Sequence, residues 1–236
     1  MGSPTYRQST GRKIFAGLFA AGIATSVLYS VTGSAVMLYD DDENKSVVSE
    51  MRDVAAFSRI HIKGAVDLEL TAGEDQSLEI ETRADYMKYV TTEVSNGTLI
   101  IDMEEYRDRK IWDDGDVDVV ISLPMLEEIE VSGAVDADLH DIDSDELLIE
   151  VRGAADMDVE GKCGTFTLEV KGAGDIDADK LKCETVEVDV KGAGSASVYA
   201  SDTIDARVSG VASISIYGQP KNVSQHSGGL SSISIK

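Results

Sequence analysis

The residues with the strongest claim to chemistry are carboxylates that recur in columns. Three and five places after a recurring glycine stand Asp136 and Asp138, Asp156 and Asp158, Asp175 and Asp177. The series then changes to Ser195/Ser197, Ser213/Ser215 and Ser232/Ser234. On neighbouring strands such side chains lie roughly 4.8 Å apart, and adjacent carboxylates repel by about 1 kcal/mol per pair even in water. Two uses compete. Stacked oxygens can capture a divalent cation such as Ca2+, with Asp136, Asp156 and Asp175 as the candidate metal ladder. Alternatively, the column is a solvated acidic face that suppresses edge-to-edge aggregation. The glycine–aspartate nonapeptide of calcium-binding β-rolls is absent, so the solvated face is the expected reading and no cofactor is expected.

Other reactive groups are few. Cys163 and Cys183 each stand three places before an inward apolar residue, Phe166 and Val186, and so occupy equivalent positions in consecutive repeats. Stacking brings them within disulfide reach, and the alternative is a pair of small reduced thiols in the core. His61, His140 and His226 lack metal-ligand spacing. The sequence holds no His-Glu-x-x-His, nucleophile elbow or phosphate loop. Catalytic residues are therefore not expected. Trp112, the one tryptophan, lies in a mixed-charge stretch over 104–116 and is a possible contact residue on an exposed loop. Asn96 and Asn222 fit glycosylation triplets.

The elements that position these groups are set by the repeat. Gly133, Gly153, Gly172, Gly192, Gly210 and Gly229 follow one another at steps of 20, 19, 20, 18 and 19 residues. Before each glycine, apolar residues alternate, as in Leu147-Ile149-Val151, Phe166-Leu168-Val170 and Val186-Val188-Val190. After it they alternate again, as in Met157-Val159 and Ile176-Ala178. Period-2 spacing on both sides of a fixed glycine predicts two short half-buried strands joined at a tight corner. Repetition at that period predicts stacking. The expected fold is an all-β solenoid, a right-handed single-stranded β-helix with coils of about 19 residues, preceded by an N-terminal hydrophobic helix.

Residues 1–13 are basic, with Arg7, Arg12 and Lys13, and residues 14–39 contain no charged side chain. A 26-residue uncharged stretch is long enough to span a bilayer. The positive flank places the N-terminus inside and the remainder outside. A cleavable signal peptide is the other reading of the same stretch. Residues 40–52 are acidic and read as a tether, and residues 53–236 as the folded domain. The net charge of −23 excludes nucleic acid as a partner.

The run Phe57-Ser-Arg-Ile-His-Ile-Lys-Gly-Ala-Val-Asp-Leu-Glu-Leu70 is followed by Tyr89–Val94, Asn96–Ile101, the glycine corners and the closing Tyr217–Val223. Together these resemble the head GIN domain family of bacteria, described as putative auto-transporter adhesins of unknown function. The resemblance covers about residues 53–236. It implies a β-helix-like fold in an exported or envelope-attached protein, and it brings no catalytic residues. The chain is thus expected to be a non-enzymatic, exported cell-envelope domain that binds extended ligands, a glycan or an envelope protein. It would be membrane-anchored through 14–39, facing the periplasm or cell exterior, or secreted. A membrane-anchored periplasmic sensing or scaffold module is the alternative, and a carbohydrate-active β-helix enzyme the third reading.

Overall fold

The computed structural model describes residues 46–103 and 117–236. Twelve strands make up the described chain. They are β1 (Val47–Met51), β2 (Arg59–Lys63), β3 (Ala65–Ala72), β4 (Ser77–Arg83), β5 (Thr91–Ser95), β6 (Thr98–Asp102), β7 (Val117–Leu123), β8 (Glu128–Val131), β9 (Ala134–Val151), β10 (Ala154–Tyr217), β11 (Asn222–Gly229) and β12 (Ser232–Ile235). β9 and β10 are long because the extended chain runs through its corners without a break. All twelve belong to one sheet.

Alternation builds the core. In β3 every second residue, Val66, Leu68, Leu70 and Ala72, is buried, while Ala65, Asp67 and Glu69 are exposed. The pattern continues through β9 and β10, so one face of the sheet is a continuous apolar surface including Ile149, Val151, Phe166, Leu168 and Val170. Polar residues hold the other face, as a one-sided burial pattern requires.

Lateral pairing follows the repeat. Val131 is the register partner of Val151, and Val151 of Val170. The glycines pack directly over one another. A Cβ on Gly153 would drive into the carbonyl oxygen of Gly133, and one on Gly172 into that of Gly153. Only a residue without a side chain permits that approach.

The expected solenoid is nevertheless not what the chain forms. The sheet is mixed and open, and it curls as a half-barrel. β4 pairs antiparallel with both β1 and β7, and β5 pairs antiparallel with β6 across the Asn96-Gly97 turn. The sheet path begins at β1 and stops at β5, so no continuous single-stranded coil winds along the domain. The physical reason is that within residues 46–103 only Gly64 joins the glycine stack, against Gly133, and β1, β4 and β5 carry no such corner. The Asn96-Gly97 turn folds β6 back on β5 as an antiparallel pair, and the chain reversal over 73–76 sets β4 antiparallel to β7, the parallel neighbour of β3. The N-terminal helix expected over 14–39 lies outside the described residues. Among the described residues the helical structure is a single 3-10 turn, Met87–Tyr89, and no helix is long and apolar enough to cross a membrane.

Part of the stretch expected as a tether is a strand. Val47–Met51 is β1, and Arg52 just beyond it donates to the Val90 carbonyl at 2.9 Å and to Thr92 Oγ1 at 3.0 Å. Cys163 and Cys183 form a disulfide, with Cα atoms 4.6 Å apart.

Candidate binding face

The polar side of the sheet carries two carboxylate columns with opposite electrostatic arrangements. In the first, Glu130 and Glu150 are register partners. Arg152 pairs with both, holding Glu150 at 2.7 Å. Lys171 continues the series, with its Nζ 3.1 Å from Glu150 and 2.9 Å from Glu169. Contacts to Glu169 and then Glu150 hold the Lys171 ammonium above its usual range. Lys191 pairs with Asp189 in the next repeat. Arg152 and Lys171 each bridge neighbouring rungs and Lys191 pairs within its own, so the column's charge is largely offset along its length.

The second column is the aspartate ladder. Its register runs from Glu81 to Asp118, from Asp118 to Asp67, from Asp67 to Asp136 and from Asp136 to Asp156. Asp175 follows on the next rung. Among the described residues, no ion pair engages Asp136, Asp156 or Asp175. Burial first, then the charges of Asp136 and Asp175, push the Asp156 carboxyl above the ordinary aspartate range. Burial, then Asp177 and Asp138, do the same to Asp158, with Lys180 acting in the opposite sense. A groove of about 480 Å³ runs beside the ladder, floored by small residues such as Ala65, Ala134, Ala154 and Ala173.

The ladder ends in a specific way. Ser195 takes the place of the next aspartate and donates both its backbone N–H (2.9 Å) and its hydroxyl (2.6 Å) to Asp175 Oδ1. Beyond it the equivalent positions are Ser213 and Ser232, which continue the row without charge.

This arrangement suits a distributed surface better than an ion cage. A calcium site gathers six to eight oxygens around one point, whereas these aspartates are spread in rows along successive rungs. Among the described residues, no group of three or more His, Cys, Asp or Glu side chains is arranged to hold a metal ion.

Comparison with known proteins identifies the fold. The family model described as "Putative auto-transporter adhesin, head GIN domain" matches residues 56–220, well over half of the chain. The chain belongs to the head GIN domain family. A structure of a putative adhesin from Bacteroides fragilis is similar at a TM-score of 0.65 and 22% identity, covering 80% of this chain and 97% of that one. A putative lipid binding protein from Parabacteroides distasonis (TM-score 0.48, 17% identity) and a putative adhesin from Parabacteroides merdae (0.47, 17%) each cover 80% of this chain and 96% of theirs. Only the first of these similarities bears on the fold. Among curated proteins, none matches this sequence.

Within this head GIN domain, Asp136, Asp156 and Asp175 stand together on one face, and Cys163 and Cys183 are joined. Trp112 lies outside the described residues. Sequence reasoning missed Asp118 and Glu81 as members of the ladder, because neither follows a repeat glycine. The alternating Val117-Asp-Val119 was the available signal. It also missed the partners of two histidines. His61 Nε2 lies 2.9 Å from Ser132 Oγ, with Nδ1 3.7 Å from Glu130. His140 Nδ1 lies 2.9 Å from Glu160. The separation of His61 from Glu130 exceeds hydrogen-bond reach.

Proposed function

We propose that this head GIN domain is a non-enzymatic, exported cell-envelope module whose aspartate face is an adhesive surface for an extended ligand, a glycan or an envelope protein bearing cationic groups. The observation that carries the reading is the contrast between the two columns. In the first column Arg152, Lys171 and Lys191 hold Glu130, Glu150, Glu169 and Asp189 between them, while Asp136, Asp156 and Asp175 present their charge to solvent. An extended partner meets equivalent rungs in succession, and weak contacts at each rung then combine. Membership in a family described as "Putative auto-transporter adhesin" supports the same reading and supports export to the envelope. The uncharged 14–39 segment is the proposed means, as a membrane anchor or a cleaved signal. Catalysis is not part of this reading, because carboxylates repeated at every rung lack the singular environment that acid–base chemistry requires.

Binding to glycan arrays and to envelope extracts, at low and at physiological salt, tests the proposal. The expected outcome is salt-sensitive binding that is lost in the triple variant Asp136→Asn/Asp156→Asn/Asp175→Asn. Full-strength binding by the triple variant, or turnover of a polysaccharide by the unaltered protein, overturns it.

A further inference from the structure

The open edges of the sheet differ in chemistry. β1 carries Glu50 and has Glu79 and Glu81 beside it on β4, and β5 carries Glu93. Charges on an edge are a common way of discouraging stray pairing. Among the described residues, β11 and β12 pair only with β10, and no acidic residue lies between Asp205 and Lys236. In a chain with 44 acidic side chains, this edge carries none, and its flanking charges are Lys221 before β11 and Lys236 after β12.

It is also apolar. Val211, Leu230 and Ile235 are 63%, 84% and 50% exposed. Ile233 and Ile235 extend the buried rows of Ile214 and Ile216, their register partners, to the last rung. The backbone is oriented for a further strand. The Lys236 N–H donates to the Ile216 carbonyl at 2.8 Å, so Ser234 and Lys236 face β10. By alternation, the N–H and C=O groups of Ile233 and Ile235 face the open side.

We propose that a second copy of this chain docks on this edge, β12 against β12 in antiparallel, about a two-fold axis through Ser234. The alternation Ser232-Ile-Ser-Ile235 is self-complementary in that register. Ile233 exchanges hydrogen bonds with the partner's Ile235, and both side chains extend the shared core. Charge selects the occupant. Two copies of a −23 chain repel through their acidic faces, and an isologous contact brings together their two acid-free ends. A strongly cationic partner would be drawn instead to the aspartate face.

Sedimentation of the full-length chain in mild detergent is expected to show a concentration-dependent dimer. Ile235→Glu is expected to abolish it while leaving the circular dichroism spectrum unchanged. Crosslinking reads the register directly. Ser234→Cys places two cysteines across a non-hydrogen-bonded pair, with Cα atoms about 4.5 Å apart, and is expected to form a covalent dimer on mild oxidation. Ser232→Cys, opposite the partner's Lys236, is expected to crosslink at least ten-fold more slowly. Three results each overturn the proposal: a monomer at every concentration, which assigns the edge to a different chain; a dimer indifferent to Ile235→Glu; or equal crosslinking at 232 and 234.

Discussion

Ser195 gives both its backbone N–H and its hydroxyl to a single oxygen of Asp175. The residue that ends the carboxylate ladder thus also stabilises its last charge. Replacing it with a carboxylate reverses the effect. Ser195→Asp is expected to lower stability by about 1 kcal/mol at neutral pH, with the loss shrinking in acid as the added group protonates. Thermal unfolding at pH 7 and about pH 4 measures both.

The raised carboxyl groups of Asp156 and Asp158 set the sign of a pH effect. A carboxyl whose folded-state pKa exceeds its unfolded value of 3.8 binds its proton more tightly when folded. Its contribution to stability is therefore present below 3.8 and is lost as pH rises through the raised value. Asp156→Asn should stabilise the fold at neutral pH and flatten the pH profile between that raised value and 3.8. Chemical denaturation across the range tests the sign, and a variant less stable at pH 7 contradicts it.

Two glycines separate close packing from mere flexibility. Gly153→Ala places a methyl group against the Gly133 carbonyl and is expected to cost on the order of 3 kcal/mol. Gly228→Ala meets no atom within 4 Å and is expected to change stability by less than about 0.5 kcal/mol. Urea midpoints of the two variants give the comparison.

The Cys163–Cys183 bridge closes a loop of 20 residues. Constraint of that loop in the unfolded chain is worth about 3 kcal/mol. The double variant Cys163→Ser/Cys183→Ser should fold with a correspondingly lower urea midpoint. Reductant should lower the midpoint of the natural sequence and leave that of the variant unchanged.

The parts of this fold that could be read from sequence are those whose partners lie one repeat away. Glycine spacing and alternation placed Val151 beside Val170, stacked the glycines, and set Cys163 next to Cys183. The open, mixed sheet could not be read in the same way. β1 lies in a stretch dominated by polar residues, and its pairing with β4 spans more than thirty residues without a periodic signal. The antiparallel returns of β4 and β5 depend on turns outside the repeat. The aspartate face was visible in its central rungs, Asp136 to Asp175. Asp118 and Glu81 join it only through strand pairing: alternation tells which face of a strand they occupy, but not which strand lies alongside.

The bulge between β9 and β10 has a practical meaning. Val159 pairs with Leu139, but Gly161 pairs with Ile142. His140 and Asp141 are thereby accommodated against the single residue Glu160, with Asp141 in a left-handed conformation. Uneven repeat lengths are absorbed at this rim while the interior rows stay aligned. The rim is consequently where the molecule has slack, and a foreign peptide grafted between His140 and Asp141 would be displayed outward with the hydrophobic interior left in step.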